Sequence, residues 1–137
     1  MSNVEDRLAV QDVMSAYTSR VDEKDFARYL DCFHEDVEVE GFDIERQLKG
    51  HSEIRDFVVP ALAQFRATQH LIGPPLVTLD GDNAHARTDI QASHFYAGSE
   101  TRAHILVGLY ETDFVRTEAG WKIIRHQLIR KCLRDID

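Results

Sequence analysis

This 137-residue chain has only two cysteines and one tryptophan, and it is poor in positive charge, with 16 lysines and arginines against 24 aspartates and glutamates for a net charge of −8. Each shortage removes a class of function. Phosphate-backbone binding needs clustered Lys and Arg, so no nucleic-acid partner is expected. The same balance gives no attraction to anionic membranes, and no apolar run approaches the length of a membrane span. The N-terminus lacks a basic-then-apolar signal peptide, so a cytoplasmic protein is expected. Cys32 and Cys132 stand far apart and read as reduced, packed thiols rather than a disulfide or redox pair. Without a CxxC, a thiolate zinc site is not expected. Without a P-loop, GxGxxG or GxSxG, the common nucleotide and serine-hydrolase readings lose their motifs. No cofactor and no metal are expected.

What the chain does contain is a change of hydrophobic period. Val4, Leu8, Val10, Val13, Met14 and Tyr17 fall close to helical spacing over residues 4–20. A sharp turn at Asp22 leads to a short helix over Phe26–Phe33, with Lys24-Asp25 at its cap. Val37–Glu40 alternates as an exposed-edge strand does, and Ile44 to Leu48 reads as its hairpin partner. A third helix starts at Gly50-His51-Ser52-Glu53 and carries Ile54, Phe57, Val58, Leu62 and Phe65 on one face; Pro60 is expected to kink or divide it. From Thr68 the period becomes two. Long strands are predicted near 68–79, 84–97, 102–116 and 121–132, joined by Asp80-Gly81-Asp82-Asn83, Gly98-Ser99-Glu100 and Glu118-Ala119-Gly120, all turn chemistry. Helices followed by an antiparallel meander make an α+β domain, with three N-terminal helices packed on one face of a curved sheet. No linker or repeat interrupts the chain, so residues 1–137 are read as one domain.

His70 opens the first long strand among apolar neighbours, in Thr68-Gln69-His70-Leu71-Ile72. Side chains alternate along a strand, so Thr88, Ile90, Ala92, His94 and Tyr96 share one face, joined by Leu106, Gly108 and Tyr110 from the next strand. The opposite face, with His85, Arg87, Asp89, Gln91, Ser93 and Phe95, is mostly polar, so the His94 face is expected to point inward. Thr68, His70 and Ile72 share a face of their own strand, and alternation alone leaves open which side of the sheet that is. Pro74 and Pro75 would disrupt a central ladder, so the strand is expected to bend just past His70.

The order of elements and several motifs resemble the SnoaL-like group of the nuclear transport factor 2-like superfamily. The residues that carry the resemblance are Asp6-Arg7-Leu8-Ala9-Val10-Gln11-Asp12, Val21-Asp22-Glu23-Lys24-Asp25-Phe26, Thr68-Gln69-His70-Leu71-Ile72-Gly73, Leu79-Asp80-Gly81-Asp82 and Gly120-Trp121-Lys122-Ile123. The resemblance implies a cone-shaped α+β barrel: three helices wrapped by a strongly curved, mainly antiparallel sheet around an apolar pocket, often as a homodimer, with a homotrimer also open. Scytalone dehydratases and hexachlorocyclohexane dehydrochlorinases in this superfamily pair an aspartate at the helix-one turn with a histidine on the first long strand. Those positions match Asp22 and His70, and the dehydratases' second pocket histidine matches His94. The dehydratase tyrosines that activate substrate fall instead on Val21 and near Val39, so scytalone itself is not the expected substrate. The dehydrochlorinases' basic pocket residues find no secure match, Arg20 being near in sequence only.

The residues support the same chemistry independently. An aspartate facing an apolar cavity is costly to bury alone, and a histidine partner offsets that cost. The carboxylate orients the imidazole and leaves its other nitrogen to take a substrate proton. Such a dyad suits abstraction of a proton beside a carbonyl, followed by loss of hydroxide or halide or by a double-bond shift. The leading expectation is therefore a dehydratase-type lyase acting on a small hydrophobic cyclic carbonyl or hydroxy compound. His94 would serve as donor to an oxyanion or as acid for the leaving group, with Tyr17 and Tyr110 as weaker donors and Ile90 and Leu106 as substrate-contacting wall. The alternatives are a ketosteroid-isomerase- or polyketide-cyclase-like isomerase, whose strand-borne acid would have to be Asp89, and a non-catalytic ligand-binding or accessory subunit. Taken singly, Asp22 reads as a turn residue, His70 as a hydrogen-bonded strand histidine, and His94 with His104 as a cross-strand pair that lacks a third metal ligand. Trp121 reads as a packing anchor, and His34, His51, His85 and His126 as surface or structural groups.

Overall fold

The computed structural model describes residues 3–137. Helix α1 (Asn3–Asp22) is followed by a single turn, α2 (Phe26–Leu30), and the reversal between them puts Lys24 in the left-handed region at φ 58°. Asp25 caps α2 by accepting a hydrogen bond from the Arg28 backbone N–H at 3.2 Å. Strands β1 (Phe33–Glu40) and β2 (Leu48–Lys49) lead into α3 (Gly50–Leu62). Then come β3 (Phe65–Ile72), β4 (Leu76–Asp80), β5 (Asn83–Tyr96), β6 (Ala103–Thr117) and β7 (Gly120–Ile136). Among the described residues no helix is long and apolar enough to cross a membrane.

The strands form one sheet in the order β2-β1-β7-β6-β5-β3, with β4 also paired to β5. The sheet is mixed and open: β1 runs parallel to β7, and every other pair is antiparallel. The architecture is α+β, as the sequence predicts, with helices packed on a curved sheet. Their shared core includes Val10, Met14, Tyr17 and Val21 of α1, Ile54 and Val58 of α3, and Ile90, Phe114 and Ile123 of the sheet. Each such side chain contributes about 1.5–3 kcal/mol when fully buried. Val4 and Leu8 lie on the exposed side of α1, and Asp6 is buried instead. Its carboxylate accepts two hydrogen bonds from Arg116, at 2.8 and 2.9 Å, and one from Trp121 Nε1 at 3.2 Å. These tie the start of α1 to the β6–β7 hairpin, so Trp121 supplies a donor as well as a packing surface.

Several elements differ from the sequence reading. The expected strand 68–79 is two strands broken at Gly73-Pro74-Pro75, where prolines cannot donate to a ladder, and the first begins three residues earlier at Phe65. Phe65, expected on the third helix, is therefore a strand residue. Pro60 does not divide α3; it falls two residues before the helix ends. The short second helix stops at Leu30 because β1 already starts at Phe33. β1 is not an edge: it lies between β2 and β7, a long-range parallel pairing that alternation within the strand cannot reveal. The hairpin partner expected over 44–48 shrinks to Leu48–Lys49.

Two irregularities in the β6–β7 pairing decide which β7 residues face the core. Asp113 pairs with Arg125 and Phe114 with Ile123, leaving Ile124 extra; Val107 pairs with Cys132 and Gly108 with Arg130, leaving Lys131 extra. Each extra residue shifts the alternation by one. Trp121 and Ile123 are buried, then the phase changes and His126 is buried. At the second bulge the two backbones approach so closely that a Cβ on Gly108 would lie 2.2 Å from the Ile129 carbonyl oxygen. Gly108→Ala is therefore expected to lower the unfolding free energy by about 1–3 kcal/mol. Gly73→Ala, whose Cβ would find only ordinary contact at 3.8 Å, is expected to stay within about 0.5 kcal/mol of the parent. Urea denaturation of the two variants beside the parent checks both values.

Candidate active site

Helix α1 ends with the Asp22 carboxylate facing β3, and three donors of that strand reach it. The His70 backbone N–H donates to Oδ2 at 2.8 Å, the Thr68 hydroxyl to Oδ1 at 2.9 Å, and His70 Nδ1 lies 2.7 Å from Oδ1. Burial is the largest influence on Asp22 and raises its pKa, but the hydrogen bonds from His70 and Thr68 together hold the carboxyl below the usual carboxylate range. An ionised carboxylate only accepts, so Nδ1 of His70 carries the proton and Nε2 is the nitrogen left for a ligand.

Register places the rest. His70 pairs with Ala92, Thr68 with His94, and His94 with His104, so Thr68, His70 and His94 share one side of the sheet. The His70 and His94 rings stand 5.7 Å apart between centroids, nearly perpendicular at 80°. His94 Nδ1 donates to the His104 carbonyl at 3.1 Å. Burial, the main cause, holds the His94 pKa below the ordinary histidine value. The neutral ring then offers Nε2 as an acceptor, the reverse of the donor expected from sequence.

Between the helices and the sheet lies a cavity of about 340 Å³ lined by His70 and His94, by Tyr17, Tyr110 and Leu106, and by apolar side chains of α3 such as Phe57 and Leu62. Asp22 stands behind His70 rather than on the wall. Ile90, expected to contact substrate, does not line the cavity: it is buried in the core, paired with Ile72 on one side and Gly108 on the other. Burial raises the pKa of the Tyr17 and Tyr110 phenols, which therefore stay protonated as donors. Asp89 is exposed on the opposite side of β5 from Thr88 and Ile90, away from the cavity.

Sequence reasoning missed Arg130, and of the surface or structural roles it left to His126 the structure shows the structural one. Arg130 lines the cavity, donates through Nη2 to the Phe42 carbonyl at 3.0 Å, and buries Nε with no partner. Both residues owe their inward phase to the first β7 bulge, at Ile124, which the alternation of the sequence does not show. His126 is wholly buried, bonded through Nδ1 to the Thr112 hydroxyl at 2.8 Å and through Nε2 to the Tyr17 hydroxyl at 3.1 Å. Of the other histidines, His51 Nε2 bonds the Phe33 carbonyl at 2.9 Å, His34 Nδ1 accepts from the Asp36 backbone N–H, and His85 is held between Asp113 and Glu111. Among the described residues no group of three or more His, Cys, Asp or Glu is placed to hold a metal ion.

An open curved sheet with three helices packed on it and a histidine-lined apolar cavity between them defines an α+β protein of the nuclear transport factor 2-like superfamily. Within that class the model of the SnoaL-like domain matches residues 2–127, and the chain belongs to that family. Three solved structures are similar over nearly the whole chain. A Novosphingobium aromaticivorans protein assigned as an aromatic ring hydroxylase is 31% identical, with a TM-score of 0.86 and coverage of 98% of this chain and 96% of that one. One from the same organism assigned as a scytalone dehydratase is 22% identical, with a TM-score of 0.88 and coverage of 97% and 89%. A type 2 hexachlorocyclohexane dehydrochlorinase is 17% identical, with a TM-score of 0.85 and coverage of 98% and 90%. At 22% and 17% identity the last two are likenesses of fold.

The buried His126 makes stability depend on pH. Burial depresses its pKa to about 3, against about 6.5 in an unfolded chain. Below about pH 6.5 the unfolded chain binds a proton there that the folded one refuses, so this contribution is fully present above that pH and is lost as pH falls toward the folded value. The urea midpoint is expected to drop between about pH 6.5 and 5, with His126 contributing up to about 1.4 kcal/mol per unit. His94 is depressed in the same direction and adds to the slope. His126→Gln should flatten the profile in that window; an unchanged slope would assign the effect to other groups.

Proposed function

We propose that the chain is a cofactor-independent lyase that carries out a dehydratase-type elimination on a small hydrophobic cyclic carbonyl or hydroxy compound. The observation that carries this reading is the Asp22–His70 pair behind an apolar cavity, with the His70 Nδ1 proton bound to the carboxylate at 2.7 Å. That hydrogen bond occupies Nδ1 and leaves Nε2 as the nitrogen that faces a ligand. His70 Nε2 takes the proton from the carbon beside the carbonyl, and the electron pair moves onto the carbonyl oxygen. Arg130, whose guanidinium is cationic and borders the same cavity, stabilises that oxyanion with the Tyr110 hydroxyl. As the enolate collapses, the ring double bond forms, the carbon–oxygen bond to the leaving hydroxyl breaks, and the proton held by His70 leaves with it as water. No net proton is gained or lost. His94, an acceptor through Nε2, orients the departing hydroxyl by accepting its hydrogen bond.

The isomerase reading is weaker here, since its strand-borne acid, Asp89, faces away from the cavity. The second reading is a non-catalytic member whose apolar cavity binds a ligand, and the 31% identical relative assigned as an aromatic ring hydroxylase favours a ring compound as that ligand. Turnover separates the two. In a screen of hydroxy-ketones and halogenated rings, the parent is expected to eliminate water or halide from at least one compound. His70→Ala should then reduce kcat by about 10²–10⁴-fold. Asp22→Asn should also lower kcat, because an amide no longer fixes the proton on Nδ1. Equal turnover by the parent and His70→Ala would remove His70 from the mechanism.

A further inference from the structure

The elimination leaves a third imidazole on the cavity wall without a task. His104 stands beside His94, with ring centroids 5.8 Å apart, and extends the His70–His94 row toward the rim. Its Nδ1 lies 2.9 Å from the Asp135 carboxylate. The same carboxylate oxygen accepts the Tyr96 hydroxyl at 2.8 Å, and Tyr96 in turn carries the Arg102 guanidinium over its ring at 4.6 Å. Hydrogen bonds from Tyr96, the larger influence, and from His104 hold the Asp135 carboxyl below the usual range, so it is ionised and only accepts. His104–Asp135 thus repeats the build of His70–Asp22 at the other end of the row. The Nδ1 partners of the three rings are a carboxylate, a carbonyl and a carboxylate, all acceptors, so every Nδ1 holds its proton. Among the described residues no hydrogen bond engages the Nε2 atoms of these rings. With each ring neutral, Nε2 is the nitrogen left to accept, so one wall of the cavity carries three neighbouring imidazole acceptors.

Neighbouring acceptors select a ligand with donors. A hydroxyl satisfies Nε2, whereas a carbonyl or ether oxygen at the same place opposes lone pair to lone pair. We propose that His104, oriented by Asp135, is a second hydroxyl-binding subsite at the rim of the cavity, and that the ligand is a ring compound carrying a hydroxyl at its outer end as well as an oxygen function at the inner end. The inner end rests on the lyase reading of His70; the subsite is tested without it.

The probes are 4-hydroxybiphenyl, 4,4′-dihydroxybiphenyl and 4-hydroxy-4′-methoxybiphenyl, titrated calorimetrically into the full-length protein. Because His104 and Asp135 are partly exposed to water, a modest preference is expected: the dihydroxy compound binds roughly three- to tenfold more tightly than the other two. His104→Phe, which keeps a ring and removes the acceptor, should abolish that preference while leaving the affinity for 4-hydroxybiphenyl unchanged. Asp135→Asn, which frees the ring to move its proton, should reduce it. Unchanged binding of the monohydroxy probe shows that each variant is folded at the cavity. Equal binding of all three probes by the parent, binding of none, or a preference that survives in both variants overturns the subsite. A preference that behaves as expected in a protein that turns over no substrate overturns the lyase reading and leaves the subsite standing.

Discussion

Asp22 occupies a place where a carboxylate has little intrinsic reason to be. It ends a helix, where the dipole is negative, and it is largely withdrawn from water beside an apolar cavity. Three donors of β3 reverse that balance: a backbone N–H, a hydroxyl and an imidazole, all within 2.9 Å. The contact is structural and chemical together. It docks the end of α1 on the sheet, which sets the depth of the cavity, and it fixes the tautomer of His70, which sets what the cavity can do. Because the backbone of His70 is held as firmly as its ring, the direction of Nε2 is a property of the strand rather than of a free rotamer.

The same economy of hydrogen bonding runs along the wall. Each imidazole that borders the cavity spends its Nδ1 proton on the protein, so the polarity of the site is set by backbone and carboxylate acceptors one layer behind it. Cationic character enters from the far strand, where Arg130 faces inward among leucines. That side chain reaches the cavity because β7 carries an extra residue, Ile124, relative to β6, which shifts its phase and brings Arg130 opposite Gly108. Without the bulge at Ile124, Arg130 would turn outward and leave the cavity without its cation.

The divergence among the similar structures fits this construction. A fold shared with a dehydrochlorinase, a protein assigned as a dehydratase and one assigned as a ring hydroxylase does not select a reaction. Selection lies in which side chains the curved sheet turns inward, and in which nitrogen of each ring is left free.

Much of this was legible in the sequence. The periods of 3.6 and 2, the turn signals and the Pro74-Pro75 break are local properties, and they determined three helices followed by a meander, with Thr88, Ile90, Ala92 and His94 on one side of β5. The candidate pair of Asp22 and His70 came from motifs in a family context. What lay outside the sequence is non-local. The parallel pairing of β1 with β7 joins segments about ninety residues apart, beyond any alternation rule. The bulge at Ile124 shifts the phase of β7, so the inward direction of His126 and Arg130 depends on pairing with β6. The proton positions on His70, His94 and His104 depend on acceptors that only folding brings within hydrogen-bond reach. Residue types and periodicity set most of the elements and named part of the wall; tertiary structure decided the register, and the register decided the chemistry.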